Sequence, residues 1–271
     1  SEEVRIEAIQ ALGEIGDERA VEPLIDAMDD ESLVVREKTA KSLGKLGKHE
    51  AGDALISSLI NNSDLSIVCA TIEALGQIGD TRAVDPLLVF LTHKEPNIRE
   101  CTAATLGKLR DSRAVDSLVV ALNDEQERVR WYAADSLGKI GNHICIDSLI
   151  KLLSDTSARV RESAVTALGQ IGNQQAIESL IKALQDSDKR VAEQAAESLV
   201  NIKNMNFDTM DTVSTSFYTN KDYKRAEAIL ERQITEYSKL PDMQEKIFQT
   251  RTKLAKTLFA LRDWQKALGL Y

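Results

Sequence analysis

A leucine followed by a small residue and a turn recurs through most of this chain with almost no drift. It falls at Leu12, Leu43, Leu75, Leu106, Leu137, Leu168 and Leu199, in steps of 31, 32, 31, 31, 31 and 31 residues. A stretch that short cannot enclose a core of its own. A fixed period between 20 and 50 residues marks a solenoid, in which each unit buries the apolar side of its neighbour. The stretch "ALGEIGDERAVEPLIDAM" at residues 11–28 therefore packs against the next copy of itself.

Each unit divides into two helical patterns. In the first, "RAVDPLLVFL" from Arg82, the residues Val84, Leu87, Leu88 and Leu91 recur at helical spacing. Pro23 and Pro86 stand near the starts of their helices, where a missing N–H costs little. Every copy carries an acid two residues before its leucine: Glu22, Asp53, Asp85, Asp116, Asp147 and Glu178. Acids in a first turn complement the helix dipole, so the column reads as structural rather than as a cation site. In the second pattern, "VRESAVTALGQIG" from Val160, the residues Val160, Ala164, Ala167, Leu168 and Ile171 share a side. Gly16, Gly47, Gly79, Gly141 and Gly172 suit the left-handed position that closes a helix, and Arg110 stands there in the fourth copy.

An acid and an arginine also recur six residues apart: Asp30 with Arg36, Asp124 with Arg130, Asp155 with Arg161. An active site is needed once, whereas a brace is needed in every unit, so these read as a ladder of charge-assisted hydrogen bonds. The third unit has Asn62 and Val68 instead, a joint loss that fits a structural pair; His93 precedes Arg99 in the fourth, and Ala192 replaces the arginine in the seventh.

The pattern "VRxxAxxALGxIGDxRAVxPLIxALxD" resembles the short HEAT-like repeats first associated with phycobilin lyases, over roughly residues 2–203. The resemblance implies an all-α, right-handed α-solenoid of about seven helical hairpins, with the Val-Arg helices lining a concave face. After Lys203 the period breaks. Phe217, Tyr218, Tyr223, Ala226 and Leu230, then Ala255, Leu258, Trp264 and Ala267, are spaced like tetratricopeptide repeats, so residues 204–271 are expected to form helical hairpins of that kind. The step from Tyr223 to Trp264 is 41 residues, longer than the ~34 usual for that family. The chain opens inside a second-helix pattern and stops at Tyr271 in mid-helix, which suggests a piece of a longer protein.

Composition narrows function. A net charge of −9 and a pI near 5.1 exclude a general nucleic-acid binder and disfavour anionic membranes. No apolar run approaches the ~20 residues of a membrane span, and the expected location is cytoplasmic. No phosphate loop, HExxH, GxSxG or paired Cys/His ligand set occurs, and His49, His93 and His143 are scattered, so neither metal nor cofactor is expected. Cys69, Cys101 and Cys145 show no CxxC spacing and read as reduced thiols. Cys69 and Cys101 fall on adjacent second helices, where a pair has the means to bind a metal or oxidise, although space-filling is the plainer reading.

The remaining candidate is the exposed side of the Val-Arg helices. Trp131 and Tyr132 sit side by side there, with Cys101 in the preceding unit and Arg128, Arg159 and Arg190 in a column on consecutive helices. Other units place Glu37, Glu100, Glu162 and Glu193 in the position of Trp131. Packing therefore does not demand tryptophan, and Trp, Tyr and Arg are the residues enriched in binding hot spots. The main expectation is a non-enzymatic interaction module taking a partner's helix or extended segment, an acidic one if it lies along the arginine column. A phycobilin lyase or chromophore chaperone is the alternative that the resemblance implies, with Trp131, Tyr132 and Arg128 cradling a tetrapyrrole. A ligand-sensing arm of a larger signalling protein is a third.

Overall fold

The computed structural model describes residues 1–203 and 205–270; Tyr271, expected in mid-helix, lies outside them. Among the described residues the chain is helical, without strands. It falls into two compact units, Ser1–Ala167 and a second beginning at Leu168.

In the first unit the repeat is built from a long helix followed by a short one. The long helices are α1 (Glu2–Ile15), α3 (Leu33–Leu46), α5 (Leu65–Ile78), α7 (Pro96–Leu109) and α9 (Glu127–Ile140), followed by α11 (Ala158–Ile171), which runs past the end of the unit. Between them lie α2 (Val21–Asp26), α4 (Gly52–Asn61), α6 (Val84–Leu88), α8 (Val115–Ala121) and α10 (Ile146–Leu152). The short helices are entered through 3-10 turns such as Thr81–Ala83, whose first N–H groups are held by Asp80 and its equivalents Asp17 and Asp111. The repeated leucines Leu43, Leu75, Leu106 and Leu137 are completely buried, as are Leu24, Leu55, Leu87, Leu118 and Leu149 of the short helices.

Successive long helices approach closely because the repeat places a glycine at the crossing. A Cβ added to Gly107 would come within 2.7 Å of Ser136 Cβ, and Ser136 Oγ donates to the Ala103 carbonyl across that gap at 2.7 Å. Where the helices end, the closing residue is left-handed, at φ 66° for Gly47 and 73° for Gly141. Arg110 adopts the same conformation at φ 52° and closes its helix through the same bond, its N–H donating to Leu106 O at 3.2 Å. The turn is therefore closed as in the other copies, at the steric cost that Cβ imposes on left-handed backbone. Arg110→Gly is expected to stabilise the protein by about 1 kcal/mol in thermal or urea unfolding, since glycine removes that cost and returns part of it as unfolded-state entropy. A neutral or destabilising result would mean that the arginine side chain itself holds the turn.

The acid–arginine ladder exists, but its rungs connect different residues from those the sequence spacing suggests. Each carboxylate takes the arginine of the preceding repeat: Arg5 with Asp30 at 2.8 Å, Arg99 with Asp124 at 2.7 Å, and Arg130 with Asp155 at 2.7 Å. The arginine six residues after each acid binds the acid's backbone carbonyl instead, as Arg36 does with Asp30 at 2.6 Å, Arg130 with Asp124 at 2.9 Å and Arg161 with Asp155 at 2.9 Å. The carboxylate also accepts the N–H two residues on (Ser32, Gln126, Ser157) and so shapes the turn. This geometry changes the meaning of the exceptions. Val68 would pair with position 93, and His93 stands there; both partners of one rung are missing together. His93 Nδ1 accepts the Glu95 N–H at 3.1 Å and so keeps the turn that the aspartate makes elsewhere. In the register of the ladder Arg36 corresponds to Asn62 in the place of an acid, and its Nε is buried without a hydrogen-bond partner.

On the short-helix side a second lattice escaped the sequence reading. Arg82 and Arg113 each bind the capping aspartate two residues before them and reach into the preceding repeat, to Asp53 at 2.8 Å and to Asp85 at 2.6 Å. Part of the acid column thus joins repeats, besides complementing helix dipoles.

The second unit begins with the end of α11 and holds α12 (Gln174–Ala183), α13 (Lys189–Asn201), α14 (Phe207–Thr219), α15 (Tyr223–Tyr237), α16 (Gln244–Ala260) and α17 (Trp264–Leu268). Its last four helices form two hairpins that match each other at the 41-residue step. Lys221 and Arg262 are left-handed, and Asp222 and Asp263 then cap α15 and α17 through the N–H groups of Arg225 and Lys266. Phe217, Ala226, Ile229, Leu230, Leu254 and Leu258 are buried in these hairpins.

Candidate functional site

The long helices α5, α7, α9 and α11 carry the candidate residues on one side. At two successive steps the second residue after a buried valine or isoleucine meets the residue just before that position in the next repeat. Where the former is Glu100, the latter, Arg128, forms an ion pair at 3.1 Å. Where it is Trp131, Arg159 lies over the indole with its guanidinium carbon 3.7 Å from the ring centroid. A cation against an aromatic face is attracted by the ring quadrupole, so Trp131 substitutes one form of arginine anchorage for another.

Trp131 and Tyr132 are both half-buried, with ring centroids 4.3 Å apart and planes tilted by 36°. Arg128 is held by Glu100, and the neighbouring Tyr132 and Glu100 both favour its charged form. The result is an aromatic platform of two mutually tilted rings, with Arg159 over the indole face of Trp131 and Arg128 paired with Glu100, built from α9 with one neighbour on either side. The three arginines of the expected column each have a partner. Arg128 is engaged by Glu100, Arg159 by Trp131, and Arg190, which belongs to the second unit, turns back on Asp188 at 3.1 Å. Arg128 and Arg159 are thus each engaged by a side chain of the preceding long helix, and Arg190 by the aspartate at the start of its own.

Cys101 also differs from expectation. It is bonded to Cys69 as a disulfide between α7 and α5, with Cα atoms 6.3 Å apart, within the span such a bond bridges. Neither residue is an isolated space-filling thiol. Cys145 is buried and donates to the Asn142 carbonyl at 2.9 Å, and burial pushes its thiol up to about 11.

HEAT repeats as a family match residues 1–68, 53–128, 104–157, 115–200 and 146–230. The chain belongs to the HEAT-repeat family. Its relatives include the phycocyanobilin lyase subunit alpha of Picosynechococcus, 36% identical over 107 residues that make up 35% of this chain and 40% of the relative. Bilin biosynthesis protein PecE of Mastigocladus laminosus is 42% identical over 62 residues, 23% of each chain. The sequence match thus spans two-fifths or less of these relatives' length. Among solved structures, the complex of CpcE and CpcF of phycocyanin lyase from Nostoc is similar at a TM-score of 0.54 and 21% identity, covering 86% of this chain and 94% of that one. An E. coli protein, YibA, gives 0.56 at 21% identity, covering 78% and 79%. The structural likenesses bear on the fold alone. The sequence relatives overturn the expectation of a chain without enzymatic role, because the names they carry are those of lyase subunits and of a bilin biosynthesis protein. Among the described residues no helix is long and apolar enough to cross a membrane.

Proposed function

We propose that the protein is a lyase-type HEAT-repeat protein that binds an open-chain tetrapyrrole and takes part in its attachment to an acceptor protein. The 36% identity to a phycocyanobilin lyase subunit carries this reading. The platform on α9 fits the chemistry of such a ligand. A bilin presents a flat conjugated system, which stacks on Trp131 and Tyr132. Its propionates suit guanidinium groups, which bind carboxylates in bidentate fashion. Propionates would draw Arg128 from Glu100 and Arg159 from the face of Trp131, which uncovers the indole for stacking. The protein partners in this reading are the acceptor apo-protein and a companion subunit, and the setting is cytoplasmic. Protein partners in this reading dock on the surfaces around the platform.

Mixed with phycocyanobilin and an apo-phycobiliprotein, the protein is expected to raise the rate at which a covalent, zinc-fluorescent adduct forms above the spontaneous rate. A rate unchanged by the protein, with or without a companion subunit, would count against the lyase reading.

A further inference from the structure

Cys69 and Cys101 are one repeat apart, and Glu73 follows Cys69 by one helical turn on the same side of α5. Cys101 Sγ lies 3.8 Å from Glu73 Oε1, and the two sulfurs and a Glu73 carboxylate oxygen all fall within 4.8 Å of one another. The cysteines are half-buried and Glu73 is exposed, so the cluster opens to solvent on one side. Two thiolates and one carboxylate are a donor set for zinc, which accepts sulfur and oxygen together and often keeps a fourth, open position. Calcium and magnesium, which require six or more oxygens, are a poor match.

We propose that, with both thiols reduced, Cys69, Cys101 and Glu73 form a zinc site joining α5 to α7. The two thiols release their protons to solvent as the metal–sulfur bonds form, and water completes the coordination. The disulfide uses the same two sulfurs. An external disulfide such as oxidised glutathione takes up two electrons and two protons from the thiols, becomes two glutathione thiols and leaves no sulfur ligand. Zinc and the disulfide therefore exclude each other. This inference does not depend on the bilin reading, since neither the ligands nor the readout involves bilin.

The test uses the full chain, reduced and stripped of metal, titrated with Zn²⁺ against a chromophoric chelator, and separately with Co²⁺. One equivalent is expected to bind, with a sulfur-to-cobalt charge-transfer band in the near ultraviolet. Cys69→Ser and Cys101→Ser should each weaken binding by more than about 100-fold, beyond the 10–100-fold typical of an outer partner, and Glu73→Gln by at least about 10-fold. Protein oxidised with glutathione disulfide should bind none. Circular dichroism of each variant separates ligand loss from unfolding. Buried Cys145, present in every variant, serves as the internal control. Equal zinc affinity in wild type and the serine variants, or a cobalt complex without the sulfur band, would overturn the site. An unchanged affinity in Glu73→Gln would remove the carboxylate from it.

Discussion

Arg130→Ala is expected to destabilise the protein by about 2–3 kcal/mol, the upper part of the range for hydrogen bonds to charged groups. The guanidinium makes two hydrogen bonds to Asp155, at 2.7 and 3.0 Å, and two more to the carbonyls of Asp124 and Glu125. Both side chains are largely removed from water, at 16% exposure for Arg130 and 8% for Asp155. Removing one partner leaves the other charge desolvated and unpaired, which costs more than the intact pair contributes. Lysine will not replace it, because an ammonium cannot present the planar fork. Melting of wild type, Arg130→Ala and Arg130→Lys checks the claim. The chain itself suggests a gentler change. In Arg130→Val with Asp155→His the rung is absent as it is between Val68 and His93, and the histidine can keep the turn. That double variant should be less damaged than the sum of its single changes.

The same rung sets a pH dependence. Burial pushes the Asp155 carboxyl up, but Arg130 and the Ser157 N–H outweigh it and hold the group below the ordinary aspartate value; Asp124 is held down in the same way by Arg99 and the Gln126 N–H. A carboxyl depressed in the folded state contributes stability that is fully present above its unfolded value of about 3.9 and is lost as pH falls through the folded value. The gap in stability between wild type and Arg130→Ala should therefore be constant near neutrality and close below about pH 4. A gap that persisted in acid would show that the arginine acts by packing alone.

The period, the division of each repeat into two helices and the left-handed closures were all legible in the sequence, because each follows from residue type at fixed spacing. Arg110 shows the limit of that logic: the backbone keeps its course, and the residue bears the cost. The ladder was half legible. Spacing shows that Asp124 and Arg130 recur together, but not that the carboxylate faces the preceding repeat while its carbonyl faces its own arginine. Reading the acids against the arginines one repeat earlier would have matched Val68 with His93 and left Arg36 as the single mismatch. The Arg82 and Arg113 lattice was hidden because its acids also have a sufficient local role at a helix start. At the platform, the contrast between Trp131 and the glutamates of its column was the useful signal. What escaped was that Arg159 would lie on the indole, since the sequence does not state that the residue before the valine reaches back one repeat.

That contact also defines the most informative variant. In Trp131→Glu the new carboxylate would meet Arg159 as Glu100 meets Arg128, so an ion pair replaces a cation on a ring. The fold should lose less than about 1 kcal/mol, since several repeats already carry glutamate there. Bilin binding should lose about 2 kcal/mol, the level of a hot-spot aromatic, or roughly 30-fold in affinity. Titrating phycocyanobilin by its visible absorbance into wild type and Trp131→Glu, with melting temperatures recorded for both, tests the account most directly. Saturable binding of one bilin per chain to wild type is expected, with the 30-fold loss in a variant that melts almost normally. No saturable binding to wild type, or equal affinity in the two proteins, would contradict it.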